Sequence, residues 1–226
     1  MLQPKIIHGE KQWFRRESYL LGLVQLALEM MRKTETSFPV KEDFISRGLV
    51  KYLRRANEQL RRQGLHVDNL PLFQTQNQPD HEMPEGNEAE RKKPDFLWEW
   101  YDVSESQDDK RYKYYAIECK RLGKPKSKFC KPYVSEGVCR FINAEHSYSK
   151  YLRSGAMIGY VQSMETKEIL KEVNAKAESS NVPLIKLNSK GWKKDGVSRL
   201  DHELDRPEVT PSPFKLRHFW LDLRCS

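Results

Sequence analysis

Two runs of alternating residues, set symmetrically about residue 107, constrain this chain more than any other feature. Asp95 to Tyr101 reads DFLWEWY, with Phe96, Trp98 and Trp100 on one side. Arg111 to Lys120 reads RYKYYAIECK, with Tyr115, Ile117 and Cys119 on one side and Ala116, Glu118 and Lys120 on the other. A period of two is the signature of a strand. The polar stretch Val103–Asp109 between the runs reads as a connection. Pairing the runs antiparallel about Gln107 sets Asp95 beside Cys119. One aspartate, one glutamate and one lysine then converge at one end of a sheet.

The rest of the chain supplies the layers around that hairpin. Leu20, Leu23, Val24, Ala27, Met30 and Met31 recur at helical spacing within 13–33. Leu21, Leu26 and Leu28 widen this face, so the helix is expected to be deeply buried or to pack on a partner. A second helix is expected from about Lys41 to Gln63, stopped by Gly64. Phe44, Ile45, Leu49, Leu53 and Leu60 form its apolar side; Arg54, Arg55, Arg61 and Arg62 crowd the other, either as a solvated face or as phosphate contacts. Residues 74–92 read as a surface loop. Further on, the pattern predicts a helix over 133–151, a strand over 155–162, a helix over 166–177 and strands over 182–187 and 214–223, with 188–213 irregular. The succession predicts an α/β fold with helices on both sides of a central sheet.

Length and composition exclude several classes. A chain of 226 residues is long enough to bury a core without disulfides or a structural metal. Aromatics at 11% argue against disorder. Four cysteines, at 119, 130, 139 and 225, show no zinc spacing and read as reduced thiols. The longest apolar run, Tyr19–Met31, falls short of the ~20 residues that cross a bilayer, and no cleavage site follows it. A cytoplasmic protein with no membrane partner is expected. The net charge of +8 favours a polyanionic partner.

Two carboxylates held a few ångströms apart repel, and a hard divalent cation relieves the repulsion through oxygen ligands. Mg²⁺ suits such a site, and a lysine beside it steadies charge on a phosphoryl group. The chemistry implied is metal-assisted phosphodiester hydrolysis.

Pro94-Asp95 followed, one hairpin later, by Glu118-Cys119-Lys120 resembles the PD-(D/E)XK nuclease superfamily. The resemblance covers about 42–165 and implies a restriction-endonuclease-like fold, a mixed sheet with an αβββαβ core. It implies one domain over 1–226, with its core at about 40–187 and with helix 13–33 and strand 214–223 as additions. It implies a Mg²⁺-dependent endonuclease, with Mn²⁺ able to substitute. Asp95 and Glu118 would bind metal together with the main-chain carbonyl of Cys119, and Lys120 would assist catalysis. Glu42 would supply a further acid, with Asp43 and Glu58 as alternatives.

The run Arg121, Lys124, Lys126, Lys128 and Lys131 follows the site directly and reads as a solvated loop or as a rim binding a DNA backbone. Arg140 and Lys150 would extend that rim. His146, His202 and His218 are expected to be structural or surface groups, although His218 lies where it could reach the site. No Walker-type phosphate loop is present in the sequence. The segment 141–161 resembles bacterial nucleases, some from phage-defence or mobile-element settings. A DNA nuclease in such a system, alone as a homo-oligomer or with partner subunits, is therefore the expectation. The rivals are a non-catalytic nucleic-acid- or protein-binding module on the same fold and a nuclease acting on RNA or branched DNA.

Overall fold

A computed structural model of the chain describes residues 8–65, 70–74, 93–103 and 105–224. Helix α1 (His8–Thr34) buries Leu20, Leu23, Val24, Ala27 and Met31 of the expected stripe, together with Leu28 from its widened side, while Met30 is only half buried. Helix α2 (Glu42–Arg62) runs against it and buries Ile45, Leu49, Tyr52, Leu53 and Ala56. Phe44, expected on that buried side, is half exposed. It sits one residue, about 100° of helix, away from Ile45. Arg54, Arg55, Arg61 and Arg62 all face solvent. Gly64, at φ +75°, ends the helix: its N–H bonds to the Arg61 carbonyl, and that of Leu65 to the Leu60 carbonyl. This closure needs a left-handed residue, hence glycine.

Seven strands form one sheet: β1 (Leu72–Phe73), β2 (Phe96–Tyr101), β3 (Tyr112–Leu122), β4 (Ser154–Val161), β5 (Lys186–Leu187), β6 (Val197–Leu204) and β7 (Phe214–Asp222). Their order across the sheet is β1-β2-β3-β4-β7-β6-β5. β2 and β3 are antiparallel with Phe96 opposite Ile117. This places Asp95 level with Glu118, one residue from the expected partner, Cys119. The connection 102–111 includes the short helix α3 (Asp108–Arg111), and its even length puts the midpoint between residues 106 and 107. β3, β4 and β7 run parallel to one another; β6 returns antiparallel beside β7. The run α2-β1-β2-β3-helix-β4 reads αβββαβ.

Three expectations need correction. The helix expected at 133–151 begins earlier and ends earlier, as α4 (Lys126–Tyr133), a π-helical turn (Val134–Val138) and α5 (Cys139–Ile142). Lys126, Lys128 and Lys131 face outward and hid the start, and Pro132, which has no N–H, precedes the widened turn. Thus part of the basic run is helix, not loop. Residues 188–213 are not irregular throughout: they contain β6, whose inward positions Ser198, Leu200, His202 and Leu204 include two polar residues that mask the alternation. β7, expected as an addition, lies between β4 and β6 and is buried over most of its length. Of the strand expected at 182–187, only Lys186–Leu187 pairs. The loop at 74–92 lies, beyond Gln74, outside the described residues.

The sheet separates two apolar layers. α1 and α2 cover Phe96, Trp100, Tyr115, Ile117, Cys119, Ile158 and Phe219. There Trp13 stacks on Trp100 with ring centroids 5.4 Å apart, a contact worth about 1 kcal/mol beyond its burial. α4, the π turn and helix α6 (Thr166–Ser179) cover Leu97, Ala116, Met157, Leu200, Leu216 and Trp220. Among the described residues no helix is long and apolar enough to cross a membrane.

Candidate active site

Alternation along β3 turns Cys119 into the α1/α2 layer and Glu118 and Lys120 toward the opposite one. Cys119 is fully buried, and its sulfur accepts a hydrogen bond from the Tyr160 hydroxyl at 3.5 Å. Its main chain serves the site. The Cys119 N–H donates to Asp95 Oδ2 at 2.7 Å, and the carbonyl accepts from Lys120 Nζ at 2.9 Å. Asp95 is held from its other side by its own carbonyl, which accepts the Gln74 N–H at 2.9 Å.

Glu118 is 1% exposed. Its Oε1 accepts from Lys120 Nζ at 2.6 Å and from the Arg140 guanidinium, while its Oε2 is buried without a partner among the described residues. Glu42 opens α2 and joins the group: Oε2 accepts the Arg121 main-chain N–H at 2.8 Å, and Oε1 lies 3.4 Å from Lys120 Nζ. The start of α2 is also tied down by the Arg121 guanidinium and the Gln162 amide, which both donate to the Val40 carbonyl at 3.0 Å. Asp95, Glu118, Lys120 and Glu42 are therefore one connected cluster. The alternatives for the further acid lie elsewhere: Asp43 is exposed, and Glu58 pairs with Arg62 on the outer face of α2.

Burial dominates the electrostatics. Loss of water raises the Asp95 carboxyl to about 7, with the neighbouring Glu118 charge adding to the shift and Lys120 and the Cys119 N–H opposing it. Burial likewise raises Glu118, against the pull of Lys120 and Arg140. Burial works against the Lys120 ammonium too, but Glu118, Glu42 and Asp95 outweigh it and hold its pKa above the usual lysine value. Lys120 is thus a fixed cation and a hydrogen-bond donor.

Arg140, expected on an outer rim, instead contacts the catalytic candidate Glu118. Nothing in its sequence spacing signals this. The contact depends on the π turn returning the helix over β3 and β4. At Gly137 in that turn, a Cβ would lie 2.4 Å from Met157 Cε and 3.5 Å from Lys120 Cγ, so the Met157 side chain would have to shift to admit any side chain there.

The basic run is divided among different environments. Arg121 lies over the Phe129 ring at 4.4 Å, and Lys126 pairs with Glu172 at 2.6 Å. Lys124, Lys128 and Lys131 are exposed. His218 does not reach the cluster; it is buried, with Nδ1 2.7 Å from the Tyr133 hydroxyl. His202 is buried beside it, with ring centroids 5.5 Å apart.

Among the described residues, no three acid, histidine or cysteine side chains are grouped closely enough to hold a metal ion by themselves. The donors that fit are two carboxylates, Asp95 and Glu118, with the Cys119 carbonyl. All are hard oxygens, and Mg²⁺ commonly keeps several waters beside one or two carboxylates. The unpartnered Glu118 Oε2 and the two buried carboxyls pushed toward neutrality are features a divalent cation would relieve. No protein-family model, curated protein or solved structure matches the chain.

Proposed function

We propose that this chain is a metal-dependent nuclease that hydrolyses phosphodiester bonds in DNA, on a fold of the restriction-endonuclease-like type. The observation that carries the reading is the cluster at the carboxyl-terminal end of β3. There, two buried acids and a partly buried lysine meet, and one carboxylate oxygen has no partner among the described residues. The αβββαβ order that positions them supports it. So does the Pro94-Asp95…Glu118-Cys119-Lys120 resemblance.

Asp95, Glu118 and the Cys119 carbonyl would hold Mg²⁺, which when bound polarises a phosphate oxygen and acidifies a water. Lys120 is charged and carries donor protons on a flexible stem; it orients the attacking water or the phosphate oxygen it faces. Glu42 contacts the same Lys120 ammonium that Glu118 holds. Arg140 shares Glu118 with Lys120 and brings a second cation to the phosphate. No side chain serves as a nucleophile.

The test is cleavage of supercoiled plasmid, single-stranded and branched DNA, and RNA, with Mg²⁺ or Mn²⁺ against EDTA. The wild-type chain should cut in a metal-dependent way, and Asp95→Asn and Lys120→Met should each slow cutting by about 100-fold or more. Undiminished cutting by either variant, or no metal-dependent cutting of any substrate by folded wild type, would overturn the reading. The second result would favour a binding module.

A further inference from the structure

Two adjoining clefts, of about 650 and 460 Å³, open around the carboxyl-terminal end of β7 and the 188–196 loop, and share Lys193, Lys194 and Asp195. One is bounded by the start of α6, the other by the second half of α1. Eight basic and four acidic side chains line the pair. Three of the acids are already matched: Asp195 with Arg32 at 2.8 Å, and Asp222 and Glu165 with Arg224 at 2.8 and 2.7 Å. Lys33, Lys167, Lys190, Lys193 and Lys194 are exposed, and none forms an ion pair among the described residues. The surplus is a set of unmatched ammonium groups in a concave surface.

The frame carrying them is fixed. The Lys193 N–H donates to Ser198 Oγ at 2.9 Å, Gly191 N–H to the Asn188 carbonyl at 3.0 Å, and Asp222 N–H to the Gly196 carbonyl at 3.0 Å. Trp192 lies between the lysines, half buried against Trp220 with ring centroids 5.8 Å apart, and lines the larger cleft. Flat aromatic surface beside unmatched cations is what a nucleic-acid strand uses, with phosphates on the ammonium groups and a base on the ring.

Position links the clefts to the acidic cluster. Lys120, Gly159 and Trp220 are in register across β3, β4 and β7, which all end at the same sheet edge. Two strand spacings, about 10 Å, separate β3 from β7. Crevices beyond the carboxyl ends of parallel strands are where α/β sheets take ligands. A polyanion lying along this edge meets both places at once.

We propose that the Lys193–Lys194 cleft seats the phosphate backbone of the nucleic acid that the β3 cluster cuts, with Trp192 stacking on a base. The identity of the polyanion rests on the nuclease reading; the cleft's affinity does not need cutting to be measured. The full chain is titrated, in EDTA, into fluorescein-labelled duplex and single-stranded 30-mers at several salt concentrations. Lys193→Glu/Lys194→Glu should bind more than tenfold more weakly than wild type, with a salt slope smaller by about two. Lys128→Glu/Lys131→Glu, on α4, should change affinity less. Trp192→Ala should weaken DNA binding without weakening binding of inorganic polyphosphate. Circular dichroism confirms that each variant is folded.

Equal affinity and slope for Lys193→Glu/Lys194→Glu and wild type would overturn the proposal, as would a wild type that binds no nucleic acid. Polyphosphate bound as tightly as DNA, with Trp192→Ala indifferent, would reduce the cleft to a general polyanion site and overturn the nucleic-acid assignment. Cleft-dependent DNA binding by a chain that never cuts keeps the cleft as a nucleic-acid site and removes the nuclease reading along with the link to cutting. Metal-dependent cutting with a dispensable cleft does the reverse.

Discussion

The two ends of the sheet's parallel strands each draw positive charge out of bulk water, fully at one end and partly at the other, and they hold it in opposite ways. At the amino-terminal edge of β4 and β7, Arg206 is 1% exposed and bonds to neutral main-chain carbonyls: Phe141 at 3.4 Å, Tyr148 at 3.3 Å, Leu152 at 3.1 Å and Pro211 at 2.9 Å. Its guanidinium lies 3.8 Å from the centre of the Phe214 ring, and it forms no ion pair among the described residues. At the carboxyl-terminal edge of β3, Lys120 and Arg140 are held by carboxylates, with one carboxylate oxygen left over. Neutral carbonyls from four separate points of the chain converge on one guanidinium, so the first arrangement is a staple. Carboxylates exchange one cation for another, so the second can admit a metal ion or surrender its lysine to a phosphate. Burial alone does not mark a site; the kind of partner does.

The largest expected effect breaks the staple. Arg206→Met leaves the carbonyls of 141, 148, 152 and 211 without their donor and should cost about 4 kcal/mol of stability. Lys120→Met should cost no more than about 1 kcal/mol, because Glu118 keeps Arg140 and one buried charge is removed. Urea unfolding of the two variants beside wild type checks both. A Lys120→Met loss as large as that of Arg206→Met would mean that the β3 cluster is structural as well.

The two edges were not equally legible in the sequence. The site residues lie on a strand pair whose period of two survives in the aromatic residues. Asp95, Glu118 and Lys120 were therefore placed together despite a register off by one. Alternation fixes the face, and Asp95 needs only to lie near 118–120 to join them. Arg206 follows a strand disguised by Ser198 and His202 at inward positions, and its partners are carbonyls, which no sequence pattern displays. The contact of Arg140 with Glu118 is hidden in the sequence for a related reason. Its reach depends on a π turn, and a helix expected to be regular points its residues elsewhere.

β6 and β7 bury two imidazoles side by side with no acidic partner among the described residues, which sharpens the contrast. His202 is brought down to about 4 by burial, against a hydrogen bond to the Pro183 carbonyl at 2.7 Å that favours the charged form. His218 is also lowered, by burial and by the neighbouring His202. A histidine whose folded pKa lies below its unfolded value of about 6.5 binds its proton first in the unfolded chain. Its stability contribution is full above that pH and is lost as pH falls toward 4. For His202 the window is worth about 3 kcal/mol. The Asp95 carboxyl, raised to about 7, works in the opposite direction over this range, so the histidine share is read as a difference: between pH 7.5 and 4.5, urea unfolding should show His202→Gln losing less stability, or gaining more, than wild type. An unchanged slope in the variant would place the acid sensitivity elsewhere.

The smallest effect isolates the contact that joins this neutral pair to the helix layer over the site. The Tyr133 hydroxyl accepts from Trp220 Nε1 at 2.9 Å and lies 2.7 Å from His218 Nδ1. It closes α4 onto β7 immediately before the π turn that carries Gly137 over Lys120. Tyr133→Phe removes one oxygen and leaves two buried ring nitrogens short of a partner, at a cost of about 2 kcal/mol. If the π turn depends on that anchor, metal-dependent cutting should fall several-fold in the folded variant, because Arg140 follows the turn and reaches Glu118 from it. If cutting per folded molecule is unchanged while stability drops, the turn is held by Gly137 and its packing alone. The polar contacts of this layer would then divide, like the two edges, into those that hold the fold and those that do its chemistry.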